Sequence, residues 1–252
     1  MIICLTGMHR SGTSLMAGYF EHCGLDLGNN LIGPRSGNQR GHFEDREFVD
    51  SHDHLFEANK CNKFTPKRDL SISAAQRTSA CRMIEARAEI RSPWGWKDPR
   101  TSLFLEFWTS IAADIQYVFL YRDPILVMDS LFRRGDKRFL ISPWLTAKAW
   151  LRYNRELLRY HKSHAARSFF VNIKGFNENH ETAAQLLGSR LGFKLNKPYT
   201  DVFRPDEIST APPPATRVRV SFLSMLFRRP LTRLYTELEN RATVNSLGVQ
   251  VN

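Results

Sequence analysis

Between Ile2 and Cys23 the chain passes from an apolar run into a glycine-bounded turn and out into a helix. Ile2-Ile3-Cys4-Leu5-Thr6 reads as a buried strand, and Leu15, Met16, Tyr19 and Phe20 recur at helical spacing over Ser14 to Cys23. The turn between them is Gly7-Met8-His9-Arg10-Ser11-Gly12-Thr13-Ser14. Glycines at both ends let backbone N–H groups turn inward, and the helix N-terminus adds its dipole, so the element is a cradle for an anion. A strand, a glycine turn and a helix in this order suit one unit of a sheet flanked by helices.

The rest of the chain supports that sheet. Trp94 to Lys97 reads as a short buried strand, Ile115 to Tyr121 as the strongest strand, and Ser168 to Ile173 as another. Helices are expected over Asp45 to Lys60, Ser73 to Ile90, Ser102 to Ala112, Pro124 to about Arg134, Pro143 to His161 and His180 to Leu191. Asp123 and Pro124 supply an N-cap and a first-turn proline for the fourth of these. Alternating strands and helices predict an α/β fold with a mostly parallel sheet flanked by helices on both faces. Residues 24–43 carry Gly24, Gly28, Gly33, Gly37 and Gly41 and read as a long loop, of a length that is usually functional or mobile. The periodic pattern weakens after Gly192; 196–216 is Pro-rich and expected to be irregular, followed by a helix over Ser221 to Ala242 interrupted at Pro230. The expected organisation is therefore a domain over 1–195 and a C-terminal segment, 196–252, packed on it.

Composition excludes some classes. A chain of 252 residues with 42% hydrophobic and 24% charged residues is neither disordered nor membrane-spanning. The start lacks a basic region and a small-residue cleavage site, and Cys4, Cys23, Cys61 and Cys81 are scattered with no C-x-x-C pair, so a reduced, cytoplasmic setting is expected. Lys+Arg of 36 against Asp+Glu of 25, a net +11, favours anionic partners.

The loop differs informatively from that of nucleoside triphosphatases. Those carry Lys after the second glycine to reach the outer phosphates; here that position is Thr13, and the cation is Arg10, inside the loop. The anion expected is shorter than a triphosphate. A second cluster, Tyr121-Arg122-Asp123-Pro124 with Ser130 eight residues beyond Arg122, closes the strongest strand. An Arg at a strand end and a Ser about two turns into the next helix make a second, separate phosphate site. Two anion sites imply a ligand with two phosphate-bearing ends.

With these residues in place, Met8 to Ser14 resembles the 5′-phosphosulfate-binding loop of sulfotransferases that use 3′-phosphoadenosine 5′-phosphosulfate (PAPS). Arg122 and Ser130 resemble that family's 3′-phosphate pair. Trp96-Lys97-Asp98-Pro99-Arg100 and Asn38-Gln39-Arg40-Gly41-His42-Phe43-Glu44-Asp45 resemble elements of its bacterial-type branch. The similarity runs from residue 2 to about 195. It implies a P-loop-type sheet, PAPS as cofactor held by His9, Arg10, Ser11, Gly12, Thr13, Ser14, Arg122 and Ser130, and no metal. It implies Arg10 and Lys97 as the cations at the leaving group. The base is Glu44, with His42 and His9 as alternatives and His42 also able to position the acceptor. The Arg-Lys-Gly loop of the cytosolic branch has only Lys174-Gly175 as a counterpart. The acceptor implied is a hydroxyl on a carbohydrate, glycolipid or small metabolite.

A nucleotide kinase and a non-catalytic anion- or nucleic-acid-binding module are the competing readings; a nucleic-acid partner is not expected, because the aromatic residues sit at core spacing. His52 and His54 lie on different helix faces, and His161 and His164 lack a carboxylate or thiol partner, so neither pair reads as a metal site. Arg217, Arg219, Arg228, Arg229 and Arg233 have no acidic residue among them. They suit peripheral contact with a membrane, but the expectation is a helix that packs Phe222, Leu226, Leu234 and Leu238 on the domain.

Overall fold

In the computed structural model β1 (Ile2–Gly7) is buried along its whole length inside a sheet ordered β2-β1-β3-β4-β5-β6. Described are residues 1–33, 41–65, 70–89, 93–204 and 211–249; parts of the expected 24–43 loop and of the Pro-rich stretch fall outside them. β2 (Trp94–Lys97), β3 (Ile115–Tyr121) and β4 (Ser168–Asn172) run parallel with β1. β5 (Val244–Asn245) adds a parallel strand beside β4, and β6 (Gly248–Val249) returns antiparallel. β5 and β6 are too short for a period-two pattern to announce them.

The sheet separates two cores. Side chains alternate along a strand: Tyr117, Phe119 and Tyr121 enter one core, while Val118 and Leu120 enter the other. The first is covered by α2 (Arg46–Ala58), α3 (Ala74–Ala88), α4 (Leu105–Ile111), α5 (Pro124–Arg133), α7 (Trp144–Ser163), α10 (Pro214–Leu226) and α11 (Arg228–Glu239). The second is covered by α1 (Thr13–His22), α8 (Ile173–Glu178) and α9 (His180–Leu191). A short α6 (Lys137–Ile141) joins α5 to α7.

Three local expectations change. The helix expected over Ser102 to Ala112 is a 3-10 turn, Pro99–Leu103, followed by α4. Asp98 caps that turn through the Arg100 N–H, and Thr6 Oγ1 lies 2.8 Å from Ser102 Oγ, tying the turn to β1. Ile173 starts α8 instead of ending β4, because the Asn172 side chain accepts from the Lys174 N–H as an N-cap. In the C-terminal segment α10 begins at Pro214, and the helix breaks at Phe227, not at Pro230. Pro230 falls in the first turn of α11, where its missing N–H has no intrahelical bond to lose. Leu234 and Leu238 are buried as expected, but Phe222 is 59% and Leu226 61% exposed; Val220 and Leu223 take the inward positions.

Candidate active site

The turn after β1 sits at the carboxyl edge of the sheet, where open α/β folds place ligands. Its shape depends on glycine. Gly12 has φ +87°, and a Cβ there would stand 2.5 Å from the Ile173 side chain; one on Gly7 would stand 2.0 Å from the Leu120 carbonyl oxygen. The Ser11 N–H donates to the Met8 carbonyl at 3.1 Å, and α1 opens with Met16 N–H to the Gly12 carbonyl. Ser11 Oγ and His9 Nε2 are buried with no hydrogen-bond partner among the described residues. Such atoms are costly unless a ligand or water completes them.

Arg10 leaves this loop in the left-handed region, φ +72°, and its Nε donates to Ser130 Oγ at 2.8 Å. Arg122 Nη1 lies 3.5 Å from the Arg10 carbonyl. The glycine turn and the Arg122/Ser130 cluster, expected from the sequence to be separate, are therefore in contact. Arg133 and Arg134 add positive charge from the end of α5. Burial, then the Arg10 and Arg133 charges, push the Arg122 guanidinium down to about 10. Burial and the charges of Arg134 and Arg133 lower Arg10. A concentrated positive field of this kind is relieved by an anion.

Behind the loop lies a buried polar chain. The Lys97 ammonium, 2% exposed, donates to Glu44 Oε1 at 2.8 Å, the His42 carbonyl at 2.9 Å and Ser14 Oγ at 3.1 Å. Glu44 Oε2 is 3.4 Å from Arg100 Nη1, which also lies 3.2 Å from Asp98. Asp98 accepts from His52 Nδ1 at 2.9 Å, and Trp108 Nε1 donates to His52 Nε2 at 2.9 Å. A donor aimed at Nε2 puts the His52 proton on Nδ1. Burial would raise the Asp98 carboxyl, but Arg100 and its hydrogen bonds hold it well below the usual range. Arg100 is raised, since Asp98 and Glu44 outweigh its own burial. The chain fixes Glu44 and Lys97 in the wall of the cleft.

His9, Arg10, Thr13, Ser14, His42, Glu44 and Lys97 line one cleft, together with Lys63, Arg100 and Arg134; Arg122 and Ser130 join it through Arg10. His9 stands between Phe64 and Tyr153, with ring centroids at 5.4 and 5.9 Å. Burial, helped by the Lys63 and Arg100 charges, drives its pKa well below the usual value. His42 contributes its carbonyl to Lys97 and Ser14.

Sequence reasoning missed Lys63, Arg100 and Arg134 as lining residues. Arg100 stood in a quoted motif, and Arg134 lies four residues after Ser130 on the same helix, a signal that spacing alone could have used. Lys63 follows α2 and nothing local marks it. Other residues play packing roles. Gly175 approaches β5 so closely that a Cβ would lie 1.7 Å from the Asn245 carbonyl, and Lys174 pairs with Glu178 on the surface. His161 bonds Ser168 Oγ at 2.8 Å and His164 stacks on Tyr160.

No protein-family model matches the sequence, and no curated protein is significantly similar to it. Solved structures are similar in fold. The sulfotransferase domain of the Synechococcus PCC 7002 olefin synthase superposes with a TM-score of 0.54 at 17% identity, covering 93% of this chain and 92% of that one. Sulfotransferase STF9 from Mycobacterium avium gives 0.57 at 13% identity, covering 92% and 76%. Sulfotransferase STF1 from Mycobacterium tuberculosis H37Rv gives 0.50 at 13% identity, covering 89% and 75%. The chain shares with these proteins the α/β fold in which a parallel sheet is flanked by helices.

Proposed function

We propose that this chain is a sulfotransferase that takes the sulfuryl group of PAPS to a hydroxyl on a carbohydrate, glycolipid or small metabolite. The observation that carries the reading is the joining of the glycine turn to α5 through Arg10 and Ser130, with Arg122 against the same loop. It brings the cations of the loop and of the β3 end to one place, as a ligand with two anionic groups requires. The residues fit such a donor: Ser11 Oγ and His9 Nε2 have no partner among the described residues, and Arg10, Ser11, Gly12, Thr13 and Ser14 would hold its 5′ end while Arg122 and Ser130 hold the 3′ phosphate. When bound, the donor supplies an activated sulfuryl group for in-line transfer.

The protein's own part is positioning and charge. Glu44 takes the acceptor's hydroxyl proton on a carboxylate oxygen; its ion pairs leave lone pairs open. Lys97 already spends its three donors on Glu44, His42 and Ser14, so it reaches a leaving oxygen by exchanging Ser14, its one neutral side-chain partner. Arg10 and the loop N–H groups hold the negative charge that develops. No metal is assigned a role, and the scattered thiols suit the cytoplasm.

Calorimetric titration with 3′,5′-adenosine bisphosphate, beside ATP with magnesium, tests this. The bisphosphate should bind without metal, and Arg122→Ala should weaken it about 30-fold, the loss of roughly 2 kcal/mol expected for a charge-assisted contact. Binding of ATP with magnesium in place of the bisphosphate would make the chain a kinase. Salt-dependent binding indifferent to the nucleotide would make it a general anion-binding module.

A further inference from the structure

α10 is apolar on two opposite faces. Its inward face places Val220 and Leu223 in the core; Arg219 lies over the Phe132 ring at 5.3 Å, and Thr216 Oγ1 bonds Asp129 of α5. Its outward face carries Val218, Phe222, Met225 and Leu226, which are 80%, 59%, 68% and 61% exposed. These fall at i, i+4, i+7 and i+8, a single stripe along the helix. Large apolar side chains in one contiguous stripe mark a contact surface. Ile125 extends the stripe, since it shares a groove with Met225 and Arg228.

The charges around the stripe identify its partner. No acidic residue lies between Glu207 and Glu237, whereas Arg217, Arg219, Arg228, Arg229 and Arg233 all fall there and are exposed. Among the described residues none of the five is in an ion pair. Arg229 and Arg233 also face Arg155, Arg159 and Lys162 across the groove between α7 and α11, where Glu237 pairs with Lys162 and Glu156 with Arg159. A second copy of the chain meeting this face about a two-fold axis would set arginine against arginine. An apolar stripe bordered by arginine is the pattern of a helix that lies in the headgroup region of a bilayer with its apolar side in the acyl boundary. No helix among the described residues is long and apolar enough to cross a membrane, so the contact is peripheral.

We propose that the outward face of α10, with Phe222, Met225 and Leu226 inserted and the flanking arginines on the headgroups, docks the protein on an anionic lipid surface. The helix keeps its inward contacts with α5, so docking needs no unfolding, and the site cleft is not part of the contact. This inference is independent of the sulfotransferase reading.

Co-sedimentation of the full chain with phosphatidylcholine vesicles, with and without phosphatidylserine, tests it. The expected result is binding to phosphatidylserine vesicles at least tenfold stronger than to phosphatidylcholine alone, weakened by salt. Phe222→Glu with Met225→Glu should lower it tenfold or more while circular dichroism stays unchanged. Arg190→Glu, exposed on α9 at the other face of the sheet, controls for net charge and should lower it much less. Failure to bind overturns the proposal. So does binding that the Phe222 and Met225 substitutions leave intact, which would be adsorption by net charge alone. Concentration-dependent dimerisation abolished by the same substitutions would assign the face to a second copy instead.

Discussion

Lys97 and Glu44 form an ion pair of 2.8 Å in which the lysine is almost wholly buried, although 52 residues of chain lie between them. A buried pair is costly to break from one side because the other charge is left uncompensated. Lys97→Met should therefore lower stability by about 3 kcal/mol, the low end for a buried pair because Arg100 still faces Glu44 at 3.4 Å, and Lys97→Met with Glu44→Gln should cost less than the single change. Urea denaturation of the three variants checks this; a double variant weaker than the single would mean that the pair is held for reasons other than charge balance.

Arg10 and Ser130 touch, so their contributions to anion binding should not add. Arg10→Ala and Ser130→Ala should each weaken 3′,5′-adenosine bisphosphate by about tenfold, with a coupling of about 1 kcal/mol in the double-mutant cycle. Titration calorimetry measures all four corners of the cycle. Strict additivity would place the two residues on independent sites.

Gly12 should tolerate no side chain. Its φ is +87° and the Ile173 side chain occupies the space, so Gly12→Ala should cost about 1 kcal/mol or more from backbone strain, plus the clash. Thermal unfolding should show the loss, and Gly12→Ala should cost less when introduced into an Ile173→Ala variant than into the wild-type protein, because the clash is then absent.

His9 links stability to pH. Its folded pKa is depressed by burial and nearby cations, whereas the unfolded value is about 6.5. Above that value both states carry the neutral ring and the residue contributes no slope. As pH falls below it, the unfolded chain takes up a proton that the folded ring refuses, so stability declines towards the folded pKa. His9→Gln should flatten the fall in the urea midpoint between pH 7.5 and 5.5 that the wild-type protein shows. An unchanged slope would mean that His9 is protonated in the folded protein too.

Much of the architecture is local in origin and so could be read from the residues. The strand–glycine–helix opening, the Asp123 N-cap with Pro124 and the apolar runs at 94–97 and 115–121 each encode their element within a few positions. The helix breaks were less legible. Phe227 ends α10 although Pro230 carries the stronger sequence signal, because a proline in a first turn costs nothing. β5 and β6 gain their identity only from pairing, β5 with β4 and β6 with β5.

The candidate site divides in the same way. Arg10, Lys97, Arg122 and Ser130 lie in motifs whose spacing is local, and the shape of the glycine turn follows from backbone geometry that short sequence specifies. That Arg10 meets Ser130, that Lys97 meets Glu44, and that Lys63 and Arg134 share their cleft depend on which strand edges the sheet order brings together. The two faces of α10 make the same point: periodicity marks Val218, Val220, Phe222, Leu223 and Leu226 alike as apolar. Which of them becomes core is decided by the one side from which α5 packs, and hydrophobic spacing along a single helix carries no information about that direction.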